Sequence, residues 1–184
     1  MTSAADNAAA AARRRAKKRE TSPVTPLSLA RLAAVQALYQ IDLMKAEPAS
    51  VIKEFCAFHL GPIVPPEDGA VVDQPDEEAP DMQDADQEHF RVIVEAVSDQ
   101  AKAVDGLIRA HLVDGWTLER LDANMRALLR AACGAWVARP DLPAKDVLVD
   151  YLDIADAFFD GADLKFAGGV LNELYRKVTS NRLD

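Results

Sequence analysis

Six cations fall within seven residues at Arg13, Arg14, Arg15, Lys17, Lys18 and Arg19. No other stretch of the chain concentrates chemistry so densely. A run of that charge is costly to enclose, so it belongs in water or against an anion. Phosphate suits it best, because each neutralised phosphate releases a condensed counterion and arginine can fork two N–H groups onto one phosphate. Arginine-rich arms that fold on binding favour RNA. The alternative is a solubilising tail. Catalytic patterns are missing by comparison. His59, His89 and His111 lie in different segments, with no cysteine or serine beside them in a nucleophile motif. Gly168-Gly169 precedes no lysine, so it is no phosphate loop; within a helix it would permit close helix–helix approach. Asp146, Asp150, Asp153 and Asp156 read as the solvated face of a helix rather than a cation site. Asp122, Arg126 and Arg130 form an i, i+4, i+8 row that would brace neighbouring helices. The chain reads as a binding protein and not an enzyme, with no cofactor and no metal.

The elements that must position these residues are helical. Thr25-Pro26 is a helix start, with threonine as N-cap and proline in the first turn. A helix over about 26–45 follows, its apolar stripe running through Leu29, Leu32, Val35, Leu38, Tyr39 and Leu43. Pro48 closes it, and a shorter segment over 49–60 buries Val51, Ile52, Phe55 and Phe58. One long helix is expected over 86–113, from Phe90 to Leu112. Another runs from Leu118 to Trp136. The last two span about 144–159, buried through Val147, Tyr151 and Phe158, and 163–180, buried through Phe166, Val170 and Leu174. No window alternates polar and apolar residues over strand length. The fold class is all-α, a compact bundle of about seven helices.

Composition agrees. Of 184 residues, 49% are hydrophobic, 6% aromatic and only 8 are glycine, which favours helices over a β-sandwich. No apolar stretch approaches the length needed to cross a bilayer, so no membrane is involved. Cys56 and Cys133 are 77 residues apart with no CxxC, and the alanine run before the basic cluster reverses the order of a signal peptide. A cytoplasmic location with reduced thiols is expected. The net charge of −9 is segregated. Residues 1–20 sum to +4, while residues 61–88 hold ten acidic residues, no basic one and five of the ten prolines. We therefore divide the chain into a disordered basic arm at 1–24 and a helical domain at 25–184, with 61–88 as an acidic, proline-rich insertion or loop.

The order of motifs resembles that of the bacterial transcription antitermination factor NusB family. Ala34-Val35-Gln36-Ala37-Leu38-Tyr39-Gln40 is similar to the family's A-x-Q-A-L-Y-Q segment, and Arg126-Ala127-Leu128-Leu129-Arg130 to R-x-I-L-R. Leu142-Pro143, Asp150, Asp153-Ile154-Ala155 and Phe158 follow its P-x-x-V-x-I-N-E-x-V-E-L-A-x-x-F helix. Lys165-Phe166-Ala167-Gly168-Gly169-Val170-Leu171-Asn172 resembles K-F-V-N-G-V-L-D. Val149 and Gly168 stand where the family has asparagine. The resemblance implies two small three-helix-like subdomains in one module. It implies binding of boxA-type RNA together with the ribosomal small-subunit protein NusE, in the antitermination complex of RNA polymerase that reads through terminators, especially in rRNA operons. By position it places the RNA surface at Arg31, Tyr39, Lys165 and Phe166, beside the arginine-rich arm. Tyr39 and Phe166 suit stacking with bases and equally suit core positions. A non-catalytic helical adaptor or a homodimer carrying a nonspecific basic arm is the alternative.

Overall fold

Thr25 opens the first helix, α1 (Pro26–Met44), with a reciprocal cap. Its hydroxyl accepts from the Ser28 N–H at 3.1 Å, and its own N–H donates to the Ser28 hydroxyl at 2.7 Å. This start was legible in the sequence. The computed structural model describes residues 24–60 and 84–180; the basic cluster at 13–19 and the acidic stretch through residue 83 lie outside the described residues.

Six further α-helices follow among the described residues, with no strand: α2 (Pro48–Glu54), α3 (Gln87–Asp99), α4 (Ala101–Arg109), α5 (Ala123–Ala138), α6 (Ala144–Phe158) and α7 (Gly161–Ser180). Pro48 begins α2 rather than merely ending α1, because proline at a first helical position forfeits no hydrogen bond. α2 runs on into a single π-turn, Phe55–His59, closed by the Leu60 N–H donating to the Phe55 carbonyl at 2.8 Å. The wider turn changes which side chains face inward. Phe55 stacks on Phe90 with ring centroids 5.5 Å apart and Leu60 is buried, while Phe58, expected in the core, is 78% exposed.

The long helix expected over 86–113 is two helices. Gln100 leaves helical geometry at φ −113°, ψ 26°, and the bend lets α4 follow α5 and reach α7. Likewise α5 begins at Ala123, not at Leu118. Asp122 caps it by accepting from the Asn124 N–H at 2.8 Å, and Leu118–Arg120 form a short 3-10 turn.

α5 is the axis of the molecule. It packs against α1 and α3 on one side and α6 and α7 on the other, so the two three-helix groups share it. A helix enclosed on all sides must be apolar or small all round, and Ala127, Ala131, Ala132, Cys133, Gly134 and Ala135 are all buried. The close approach is at Gly134, where a Cβ would lie 2.5 Å from Val97 Cγ2 and 3.0 Å from the Ile93 carbonyl. Gly168-Gly169 has no such role. A Cβ on Gly168 would make an ordinary 3.7 Å contact with Leu152, and one on Gly169 would meet nothing. No described helix is long and apolar enough to cross a membrane.

Candidate nucleic-acid interface

The arginine row of α5 faces inward across the bundle. Arg126 donates to Asp42 at 2.7 Å and to the carbonyls of Leu118 and Leu121 at 3.3 and 3.0 Å. Arg130 forks onto Asp105 at 2.8 and 2.9 Å and lies 3.7 Å from Asp42. Burial alone would raise the Asp42 carboxyl, yet hydrogen bonds from Arg126 and Lys45 and the charges of Arg126 and Arg130 hold it below its ordinary value. These cations are committed to joining α1, α4 and α5. They are not offered to a ligand.

Arg31 is held inside the helical bundle. The resemblance places it at an RNA surface, but its side chain is only 4% exposed and ion-paired with Asp150 of α6. Arg31 is one of the buried residues of α1, and its ion pair with Asp150 ties that helix to α6. Asp150 is correspondingly not part of a solvated face. Burial pushes its carboxyl above the ordinary value, and the nearby Arg31 only partly offsets that. His89 is fully enclosed on α3, where burial first and the charges of Arg31 and Arg139 second push it down to about 4. Both cysteines are free; burial raises the Cys56 thiol and pushes Cys133 up to about 12.

Lys165 and Phe166 lie in the second turn of α7, the lysine exposed and the phenylalanine half-buried against the core. Phe166 meets Trp116, with ring centroids 5.0 Å apart and planes at 43°. Trp116 projects from the loop between α4 and α5 and is 46% exposed, with the Arg120 guanidinium 6.0 Å from its ring centre. The structure thus gathers Lys165, Phe166, Trp116 and Arg120 in one neighbourhood. Tyr39 is half-buried against the core late in α1, and no ring contact joins it to Phe166 among the described residues. Reading the sequence missed Trp116 and Arg120 because they lie outside every apolar stripe. The available signal was a tryptophan beside the Asp114-Gly115 turn with a cation four residues on.

The described residues thus form an all-helical module built on a small-residue central helix, with an aromatic and cationic patch around Trp116 and Phe166. The chain belongs to the NusB family, whose model matches residues 28–176. It is 40% identical over 151 residues to the transcription antitermination protein NusB of Sphingopyxis alaskensis, covering 82% of this chain and 93% of that one. It is 38% identical to the NusB of Mesorhizobium japonicum, covering 81% and 88%. Its fold is similar to a T. maritima NusB structure, at a TM-score of 0.61 and 20% identity, covering 84% of this chain and 94% of that one. It is similar also to a structure of antitermination factors NusB and NusE in complex with double-stranded RNA, at 0.60 and 22%, covering 83% and 97%.

Proposed function

We propose that the chain is an RNA-binding transcription antitermination factor. It takes boxA-type RNA together with the ribosomal small-subunit protein NusE, promoting read-through by RNA polymerase, especially in rRNA operons. The observation that carries this reading is identity near 40% over four-fifths of the chain to antitermination proteins of that name. The protein works in the cytoplasm by binding alone, without a catalytic step. The cations at Arg13–Arg15 and Lys17–Arg19 supply sequence-independent attraction to phosphate, Lys165 adds a positive charge, and Phe166 with the exposed edge of Tyr39 supplies contact to bases. Arg31 holds α1 to α6 instead of touching RNA. Outside residues 1–20 the charge is negative, which favours RNA capture shared with a second protein.

The test is binding of a boxA-like RNA oligonucleotide and a scrambled control, with and without NusE, at two salt concentrations. Preference for boxA that grows when NusE is added is the expected result. Equal, salt-labile binding of both RNAs would refute it in favour of an adaptor with a sticky arm.

A further inference from the structure

The loop joining α4 to α5 is built to hold one large ring in water. Gly115 takes a left-handed φ of 85°, the Trp116 N–H closes a turn onto the Val113 carbonyl at 3.0 Å, and Leu118 and Leu121 anchor the far side in the core. Arg120 reaches back to donate to the Gly115 carbonyl at 3.1 Å while its guanidinium lies 6.0 Å from the Trp116 ring centre. The other tryptophan, Trp136, is 2% exposed and donates its indole N–H to the Ala144 carbonyl. The chain is able to enclose an indole, therefore, and at Trp116 it does not.

The charges around the ring are uneven. Glu119 is taken up by Arg109 at 2.8 Å. Arg120 and Lys165 make no ion pair with a carboxylate among the described residues, although Asp114, Asp122 and Asp163 are exposed in the same two segments. A planar cation 6.0 Å from the centre of a half-exposed indole borders the space in which a nucleobase could stack on that ring, and the guanidinium could turn from there to meet the adjoining phosphate.

Resting on the RNA-binding reading above, we propose that Trp116 is a stacking residue for one base of single-stranded RNA. Arg120 is its phosphate contact, and the two extend the surface of Lys165 and Phe166 across the α4–α5 loop. The patch recognises an unpaired base by its π-face and an adjacent phosphate by charge. An apolar protein partner would gain nothing from the two unneutralised cations.

The experiment is a titration of the full chain with a boxA-like single-stranded RNA oligonucleotide, in the presence of NusE, followed by tryptophan fluorescence and by anisotropy of labelled RNA. Quenching is expected to come from Trp116, because Trp136 is enclosed. Trp116→Phe should abolish the quenching while keeping affinity within about threefold, since a phenyl ring still stacks. Trp116→Ala should weaken binding roughly 5- to 160-fold with the salt slope unchanged. Arg120→Gln should lower the slope of log affinity against log salt by about 0.7. Circular dichroism melts matching the parent chain would show that the exposed positions leave the fold intact. If the parent chain binds RNA but Trp116→Ala binds equally well without lost quenching, the stacking role is overturned and the antitermination reading stands. If Trp116→Ala impairs only NusE capture, the patch is a protein contact and the proposal fails. If the parent chain binds no RNA, both fail together.

Discussion

The Arg31–Asp150 pair is unequal, and the inequality sets what each deletion costs. Arg31 is 4% exposed and Asp150 24%. Asp150→Ala strands a permanently charged guanidinium among apolar neighbours, and a buried charge that loses its partner costs about 3–5 kcal/mol. For a domain of this size that is a fall in Tm of about 6–20 °C. Arg31→Met strands the carboxylate instead. Asp150 already reaches water with a quarter of its side chain and, with its pKa raised by burial, can take up a proton. Its loss should cost only about 1–2 kcal/mol. The double variant Arg31→Met/Asp150→Leu removes both charges and should return to within about 1 kcal/mol of the parent. Urea titrations followed by circular dichroism give the free energies, with a constant m-value confirming that the same surface is exposed. Arg31→Met should also retain affinity for boxA-like RNA. An Arg31→Met cost equal to or larger than that of Asp150→Ala would refute the burial argument, and a selective loss of RNA affinity in Arg31→Met would restore that arginine to the interface.

Three further outcomes are expected. Acid should destabilise the fold through His89. Its folded value of about 4 lies below the ordinary 6.5, so the unfolded chain binds the extra proton and stability falls as pH drops from about 6.5 to 4, by up to about 3 kcal/mol; calorimetry of His89→Leu should show a flatter profile across that window. Gly134→Ala should destabilise by about 1–3 kcal/mol because its Cβ runs into α3, whereas Gly169→Ala should stabilise α7 by about 0.5–1 kcal/mol, and thermal melts of the two will separate them by sign. Deleting residues 1–20 should weaken RNA binding and, if all six cations meet phosphate, flatten the salt slope by about 4, read by anisotropy at several salt concentrations.

Helix starts and apolar stripes were legible because they are local. Thr25 and Pro26 carry the signal of α1 in two adjacent residues, and the stripes of α5 and α7 follow from spacing alone. What depends on a facing element was not. The π-turn that rotates Phe58 outward has no proline or glycine within it, and neither has the bend at Gln100. Gly134 and Gly168 look alike in sequence, but only the ridge of α3 at Ile93 and Val97 makes one of them indispensable. The motif match gave Arg31 a position in the chain and not an environment, which Asp150 supplies from 119 residues away. At the candidate interface Lys165 and Phe166 were legible as a motif, while Trp116 and Arg120 were not, because a loop residue's neighbours come from tertiary structure.

The central place of α5 has a consequence for the chain as it is being made. About 80 residues separate the end of α1 from the start of the helix it packs against most extensively. At about 5–20 residues per second, α1 leaves the ribosome roughly 4–16 s before that partner exists. Through that interval Leu29, Val35 and Leu38 have no α5 to cover them. Of the three helices that meet α1 most closely, α2 and α3 arrive sooner, but α2 is short and α3 itself needs α5 to complete its contacts. The nascent chain therefore carries an uncovered apolar helix between two strongly charged stretches, +4 before it and −10 after it. Through residue 88 these sum to −6, a net charge that favours keeping neighbouring unfinished copies apart until Ala138 has emerged.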